Sequence, residues 1–301
     1  MHQTPTPRPT QPKYLLSPNG EAVPISGKLL PYNERQIIKP NTVFSSFDVL
    51  GPSTRAIPSF PKERQYQDVE DVTNCPFNMS LDTKQQMFPW LLQNPPTFTN
   101  FNRFMSVQRQ GMPTWLDKYP FLEKAQSLQN PEQVLFVDVG GGVGHQSVAL
   151  RQALPGSVKG RIVVQDQEAV FKQALKADGV EHVVHDFFTV QPLKGAQMYY
   201  MRNIIHDWTD EDALKILRHV KDSMDEKSVL LIDDKVVPDV GVHPYTVELD
   251  MVMMVMLGAR ERTLKQWKAL ILDSALELRE VRKYAENTGD SIIECVRVLR
   301  S

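Results

Sequence analysis

The chain has 301 residues, 41% of them hydrophobic and 23% charged, and a formal net charge of −2. That balance is ordinary for a globular protein and gives no electrostatic case for nucleic acid or an anionic membrane surface. Two cysteines, Cys75 and Cys295, exclude a disulfide scaffold or a zinc cluster and suit a reducing compartment.

Eight of the 22 prolines fall in the first 40 residues. Residues 1–40 therefore read as a tail with little fixed structure. The beginning lacks the charge and apolar core of a secretory signal, so the cytoplasm is the expected location. Residues 41–120 are mixed. "FNRFMSVQRQGMPTWLDKYP" has no complete apolar face, which suggests short helices packed on another part of the chain.

From residue 121 onward the chain reads as one α/β domain. Strand-like runs occur at 134–140, 161–166, 181–186, 196–203, 228–234, 276–281 and 291–299. Helical patterns cover His145–Leu154, Glu168–Ala177 and Thr209–Met224, with Thr209 as N-cap, and then Tyr245–Leu257 and Thr263–Ala275. The apolar run Met251–Gly258 is too short to cross a bilayer. Alternating strands and helices predict a Rossmann-like, seven-stranded, mostly parallel sheet covered on both faces, with the last two strands paired antiparallel. A ligand is then expected outside the carboxyl ends of the strands.

Four features fall at those ends. "LFVDVGGGVGHQSVAL" places Gly140, Gly141, Gly142 and Gly144 between a strand and a helix. It reads either as a plain tight turn or as a bare backbone that a ligand approaches closely. The G-x-G-x-G spacing has His145 where a dinucleotide fingerprint carries its third glycine, which argues against an NAD-dependent oxidoreductase. Asp166 ends the second strand, placed to accept from ribose hydroxyls or to cap the next helix. Asp186 and Phe187 offer an acceptor and an apolar ring for adenine, or simply a turn acid and a core aromatic. His206 follows the fourth strand, where a neutral imidazole is a natural base near pH 7. Asp234 and Glu261 are acids that can orient it. His182 and His185 are read onto opposite faces of a strand and the other histidines are scattered, so no metal is expected.

"VDVGGGVGH", "VVQD", "HDFF", "YYMRNIIHDWTDED", "LLIDD" and "GARERTLKQW" together resemble the S-adenosylmethionine-dependent O-methyltransferases of the plant and fungal small-molecule class, in particular the fungal secondary-metabolite branch. The resemblance runs from Thr42 to Leu299 and is most specific at "RNIIHDW". It implies S-adenosylmethionine as cofactor, held by Gly140, Gly141, Gly142, Asp166, Asp186, Phe187 and Arg202. It implies His206 as the base that deprotonates an acceptor hydroxyl, phenolic by expectation, bracketed by Asp234 and Glu261. Asp234 is often Glu in relatives. The implied partner is an aromatic or polyketide-like small molecule, with no nucleic acid, membrane or metal. The alternative within the resemblance is a relative that binds the cofactor but does not methylate: a cyclase, a rearrangement catalyst or an inactive partner subunit.

The sequence departs from the pattern in three places. A Pro-rich start stands where relatives carry most of a helical, winged-helix-like dimerisation domain, so a homodimer is an expectation weakened by the shortened region. Gln167–Glu168 replaces a usual Leu-Pro. The glycine expected after Ala275 is missing, which predicts a distorted turn into the sixth strand. Met251, Met253, Met254 and Met256 read either as adaptable core or as substrate-site lining. Trp115, Met112 and Met105 share that ambiguity.

Overall fold

The computed structural model describes residues 14–16, 22–24, 49–69, 71–107, 112–126, 128, 130, 132–286 and 288–298. The expected tail of residues 1–40 lies outside them, apart from a short antiparallel pair, β1 (Tyr14–Leu16) and β2 (Ala22–Pro24).

The principal sheet contains β3 (Val134–Val139), β4 (Arg161–Asp166), β5 (Val180–Val184), β6 (Met198–Arg202), β7 (Val229–Lys235), β8 (Leu276–Ala285) and β9 (Asp290–Arg297). Their order is β5-β4-β3-β6-β7-β9-β8. The first five are parallel, and β9 is antiparallel to both neighbours. The order reverses beside β3, which opens the crevice where doubly wound sheets bind ligands. Every residue of β3 is buried, as expected of a central strand covered on both faces.

The covers follow from periodicity. In α9 (Asp210–Lys221), Ala213, Ile216, Leu217 and Val220 recur at helical spacing and pack with Trp267, Leu270 and Ile271 of α11 (Leu264–Asp273) on one face of the sheet. Thr209 caps α9 by accepting from Asp212 N at 3.3 Å. On the other face lie Leu150 of α7 (His145–Ala153) and Trp115, which stacks on Phe136 with ring centroids 5.9 Å apart and also meets Tyr200. Trp115 is thus core. Ahead of the sheet, α1 (Gly51–Arg55), α2 (Phe60–Glu63), α3 (Pro76–Leu81), α4 (Met87–Gln93), α5 (Pro95–Val107) and α6 (Phe121–Gln126) are mostly short. Cys75, Phe77, Met87 and Leu91 share a cluster with Met253, Val255 and Met256 of α10 (Pro244–Leu257), so this region leans on α10 for its apolar contacts. Among the described residues no helix is long and apolar enough to cross a membrane.

Two details depart from the sequence reading. The helix expected over Glu168–Ala177 is only α8 (Glu168–Phe171). Beyond it the chain folds back, and Leu175 N donates to Val143 O at 2.8 Å, tying this segment to the glycine turn. The turn before β8 forms without the missing glycine. Ala275 itself takes φ +59°, its N–H meets Leu272 O at 2.9 Å, and β8 begins in register with Leu276 opposite Arg297. The price is a left-handed alanine, about 1–2 kcal/mol.

Candidate active site

The glycine turn sits where β3 meets α7, and its three leading glycines face different surroundings. Gly140 N and Gly141 N donate to Gln165 O at 2.8 and 3.1 Å. A Cβ on Gly140 would lie 2.6 Å from Ile204 Cδ1 and 3.4 Å from Phe187 Cε1; one on Gly141 would lie 2.5 Å from Asp138 Cγ. Only Gly142, at φ +61°, would meet nothing within 4 Å. The first two therefore allow close packing within the protein, and Gly142 borders open space. Gly142 N also donates to Asp166 Oδ2 at 2.8 Å, and Gln167 N to Asp166 Oδ1 at 2.7 Å. Burial raises the Asp166 pKa against the pull of those donors.

Phe187 covers Gly140 and packs edge-on against Trp208 at 5.9 Å. Asp186 is exposed, and its carboxylate accepts from Phe188 N at 2.9 Å; nothing joins its side chain to the other candidate residues. Arg202 lies at the end of β6, 3.6 Å from Asp233 Oδ2. Asp233 also accepts from the hydroxyls of Tyr200 and Tyr284.

His206 is carried on a single 3₁₀ turn, Ile205–Asp207, and is buried. Its Nδ1 lies 2.9 Å from Glu261 Oε1 and 4.0 Å from Asp234 Oδ1, and its Nε2 lies 3.3 Å from Asp207 Oδ1. Burial pulls the imidazole pKa down, but Glu261, Asp207 and Asp234 outweigh it and push it up to about 10. The ring is thus protonated at neutral pH in this arrangement, where the sequence reading takes it as neutral. Desolvation raises Asp234 to about 7 and Asp207 to about 6. Both Asp234 oxygens are buried without a hydrogen-bond partner. Among the described residues, no group of three or more His, Cys, Asp or Glu is arranged to hold a metal ion.

His206 and Asp207 border an apolar cavity of about 160 Å³. Phe88, Leu91, Phe101 and Met105 line it from the helices ahead of the sheet, and Met253 and Met256 from α10. Of the other methionines, Met254 packs against the α10 core cluster and Met251 is exposed.

Four participants were not legible as site residues. Asp138 is a buried acid inside the apolar run "LFVDV"; it accepts from Ser147 Oγ at 2.8 Å, and desolvation raises its pKa to about 7. Its charge within such a run is a signal that could have marked it. Asp207 and Asp233 are the chain neighbours of His206 and Asp234. Arg262 follows Glu261 and is 1% exposed.

A reversed strand order, a glycine turn against an acidic strand end, and an aromatic cover define the class of doubly wound, nucleotide-type binding domains. Residues 102–275 match the O-methyltransferase domain family, and the chain belongs to it. It is 37% identical over 242 residues to the demethylsterigmatocystin 6-O-methyltransferase of Aspergillus flavus, across 80% of this chain and 62% of that protein. It is 35% identical to the O-methyltransferase lepI of the same species, across 79% and 62%. The chain therefore spans 62% of the length of these curated relatives. Its fold matches LepI in complex with SAM at a TM-score of 0.81 and 33% identity, covering 86% of this chain and 67% of that one. It matches OxaC in complex with SAH and oxaline at 0.74 and 27%, covering 85% and 65%. A further match at 0.81 and 33%, covering 86% and 67%, is described as a pericyclic reaction enzyme.

Proposed function

We propose that this chain transfers a methyl group from S-adenosylmethionine to a hydroxyl, phenolic in character, of a small secondary metabolite, with His206 as general base. The observation that carries this reading is the placing of His206: one ring nitrogen is engaged by Glu261, and the residue borders an apolar cavity. The names of the relatives, O-methyltransferases of fungal secondary metabolites, support the reaction class.

The residues fit the cofactor at the glycine turn. Open space lies beside Gly142, and the half-buried Asp166 is an acceptor suited to ribose hydroxyls. Phe187 offers an apolar face to adenine, with Asp186 at its edge. Gly140 and Gly141 keep the backbone low, and Arg202 adds positive charge near the same end. When bound, S-adenosylmethionine supplies a methyl group already activated by its sulfonium.

The chain's own task is then to orient the acceptor and take its proton. Orientation can be worth about 7–11 kcal/mol, and a positioned base about 10²–10⁴-fold. The apolar wall from Phe88 to Met256 holds a flat acceptor and excludes water. With the ring neutral, Nε2 of His206 takes the hydroxyl proton in place of its 3.3 Å contact with Asp207 Oδ1, and Glu261 stabilises the resulting imidazolium.

A second reading is favoured by the likeness to LepI and to the pericyclic reaction enzyme: the chain binds the cofactor and catalyses a rearrangement or cyclisation. Calorimetry with S-adenosylhomocysteine, followed by mass spectrometry of a phenolic panel incubated with S-adenosylmethionine, separates the two. Binding with a one-methyl mass gain supports transfer. Binding with no gain across the panel, and an isomerised product, overturns it.

A further inference from the structure

The sequence segment "GARERT" contributes more to the site than its acid. Arg262 Nη1 donates to Ile205 O at 2.8 Å, and Nη2 donates to Trp208 O at 2.8 Å. Nε and Nη2 donate to Asp210 Oδ1 at 2.9 and 2.7 Å, and the guanidinium lies over the Trp267 ring, 5.4 Å from its centroid. Ile205 and Trp208 flank His206 and Asp207. The turn between them is short and has no side-chain cap; its own bonds, Asp207 N to Ile204 O and Trp208 N to Ile205 O, are 3.1 and 3.3 Å. A single 3₁₀ turn has poor intrinsic hydrogen-bond geometry. What holds it is a planar cation that reaches the carbonyls on both sides. The residue before that cation, Glu261, holds the ring itself at 2.9 Å.

We propose that Arg262 is a positioning residue for His206: its fork grips the carbonyls of Ile205 and Trp208, fixes the turn that aims the imidazole at the apolar cavity, and is held in plane by Asp210. Charge alone does not account for the arrangement. A buried cation that merely balanced Asp210, whose side chain is 51% exposed, would need no contact with two carbonyls. Lysine carries the same charge on a point donor and cannot reproduce the fork. Arg262→Lys therefore separates positioning from charge balance. The inference rests on the reading of His206 as base, so one arm of the test is independent of turnover.

The full chain, loaded with S-adenosylhomocysteine, is examined by ¹⁵N NMR of the His206 imidazole. The wild-type ring should show a strong Nδ1–H bond to Glu261 and a titration midpoint above that of an ordinary histidine, because Glu261, Asp207 and Asp234 all face it. Arg262→Lys should weaken that bond and lower the midpoint while leaving the thermal gain from S-adenosylhomocysteine intact. With whichever member of the phenolic panel gains a methyl, kcat should fall about 10²-fold, the scale of a 1 Å misplacement, with KM little changed. Asp210→Ala, altered on the exposed side, should move both readouts the same way by less, and it decides the matter if Arg262→Lys does not fold. An unchanged His206 signal and midpoint in the folded variants overturns the proposal whether or not methyl transfer is found. So does wild-type kcat, or a kcat loss that always accompanies loss of S-adenosylhomocysteine binding.

Discussion

Nδ1 of His206 lies within hydrogen-bond distance of Glu261, at 2.9 Å, but 4.0 Å from Asp234. The two acids that bracket the ring are therefore unequal: one bonds it and the other acts through space. His206→Ala should lower methyl transfer by about 10²–10⁴-fold and leave cofactor affinity nearly unchanged. Glu261→Gln should cost more than Asp234→Asn, since only Glu261 is hydrogen-bonded to the ring, and the neutral amide that replaces it holds an imidazolium less strongly. Single-turnover rates for the three variants, each taken on the high-pH plateau of its own profile, give the ranking. An Asp234→Asn protein slower than Glu261→Gln would contradict the geometry.

The charge around His206 sets a pH dependence. A base works only when deprotonated, so a pKa pushed up to about 10 makes the rate rise with pH through and beyond neutrality. Glu261→Gln removes the largest of the raising influences and should shift the rising limb to lower pH. Stability has the opposite slope. A folded-state pKa above the unfolded value of about 6.5 contributes stability that is complete below that value. It is lost as pH climbs through about 10. The Tm should fall between pH 7 and 10, and fall less in His206→Gln.

The glycine turn gives a binding prediction. S-adenosylhomocysteine at 100 times its dissociation constant should add about 2.7 kcal/mol to unfolding stability, read as a rise in Tm. Asp166→Ala should remove most of the gain. Gly142→Ala should remove it too, since its methyl would enter the only space beside the three leading glycines that is free of protein atoms. If neither variant blunts the gain, the ligand binds elsewhere.

Ala275 supplies a test of backbone strain far from the chemistry. Its φ of +59° is one that glycine adopts freely. Ala275→Gly should stabilise the chain by roughly 1 kcal/mol, with the relief of a left-handed alanine partly offset by the extra freedom of an unfolded glycine. Denaturant titration should show a higher midpoint with the same slope.

Much of this molecule is legible in its residues, and the illegible parts share a cause. Strands such as Arg161–Asp166 announce themselves because the doubly covered middle of a strand is mostly apolar, here Ile162, Val163 and Val164. His206 and Glu261 are marked by the segments "RNIIHDW" and "GARERTLKQW" and not by position alone, since a polar group at a strand end or after a helix is the ordinary case. The overlong helix at Glu168 reflects the opposite situation: local spacing favours continuation, while Leu175 N pairs with Val143 O, a long-range partner that no local pattern announces. Trp115 reads from the sequence as core or as pocket, and its packing against Phe136 and Tyr200 makes it core. Arg262 and Asp207 were hidden because their importance lies in which backbone or ring they meet, and no periodicity encodes that.

Phe101, Phe88, Trp208 and Phe187 form a line of touching rings, with successive centroids 6.1, 6.0 and 5.9 Å apart. One end lines the apolar cavity and the other rests over Gly140, so the row of rings forms a partition between the cavity and the glycine turn. Trimming Phe88 to admit a bulkier acceptor would take support from Trp208 and, through it, from Phe187. Acceptor range and hold on the second ligand are thereby traded against each other. A variant evolved for wider scope should need a compensating change on the far side of the partition.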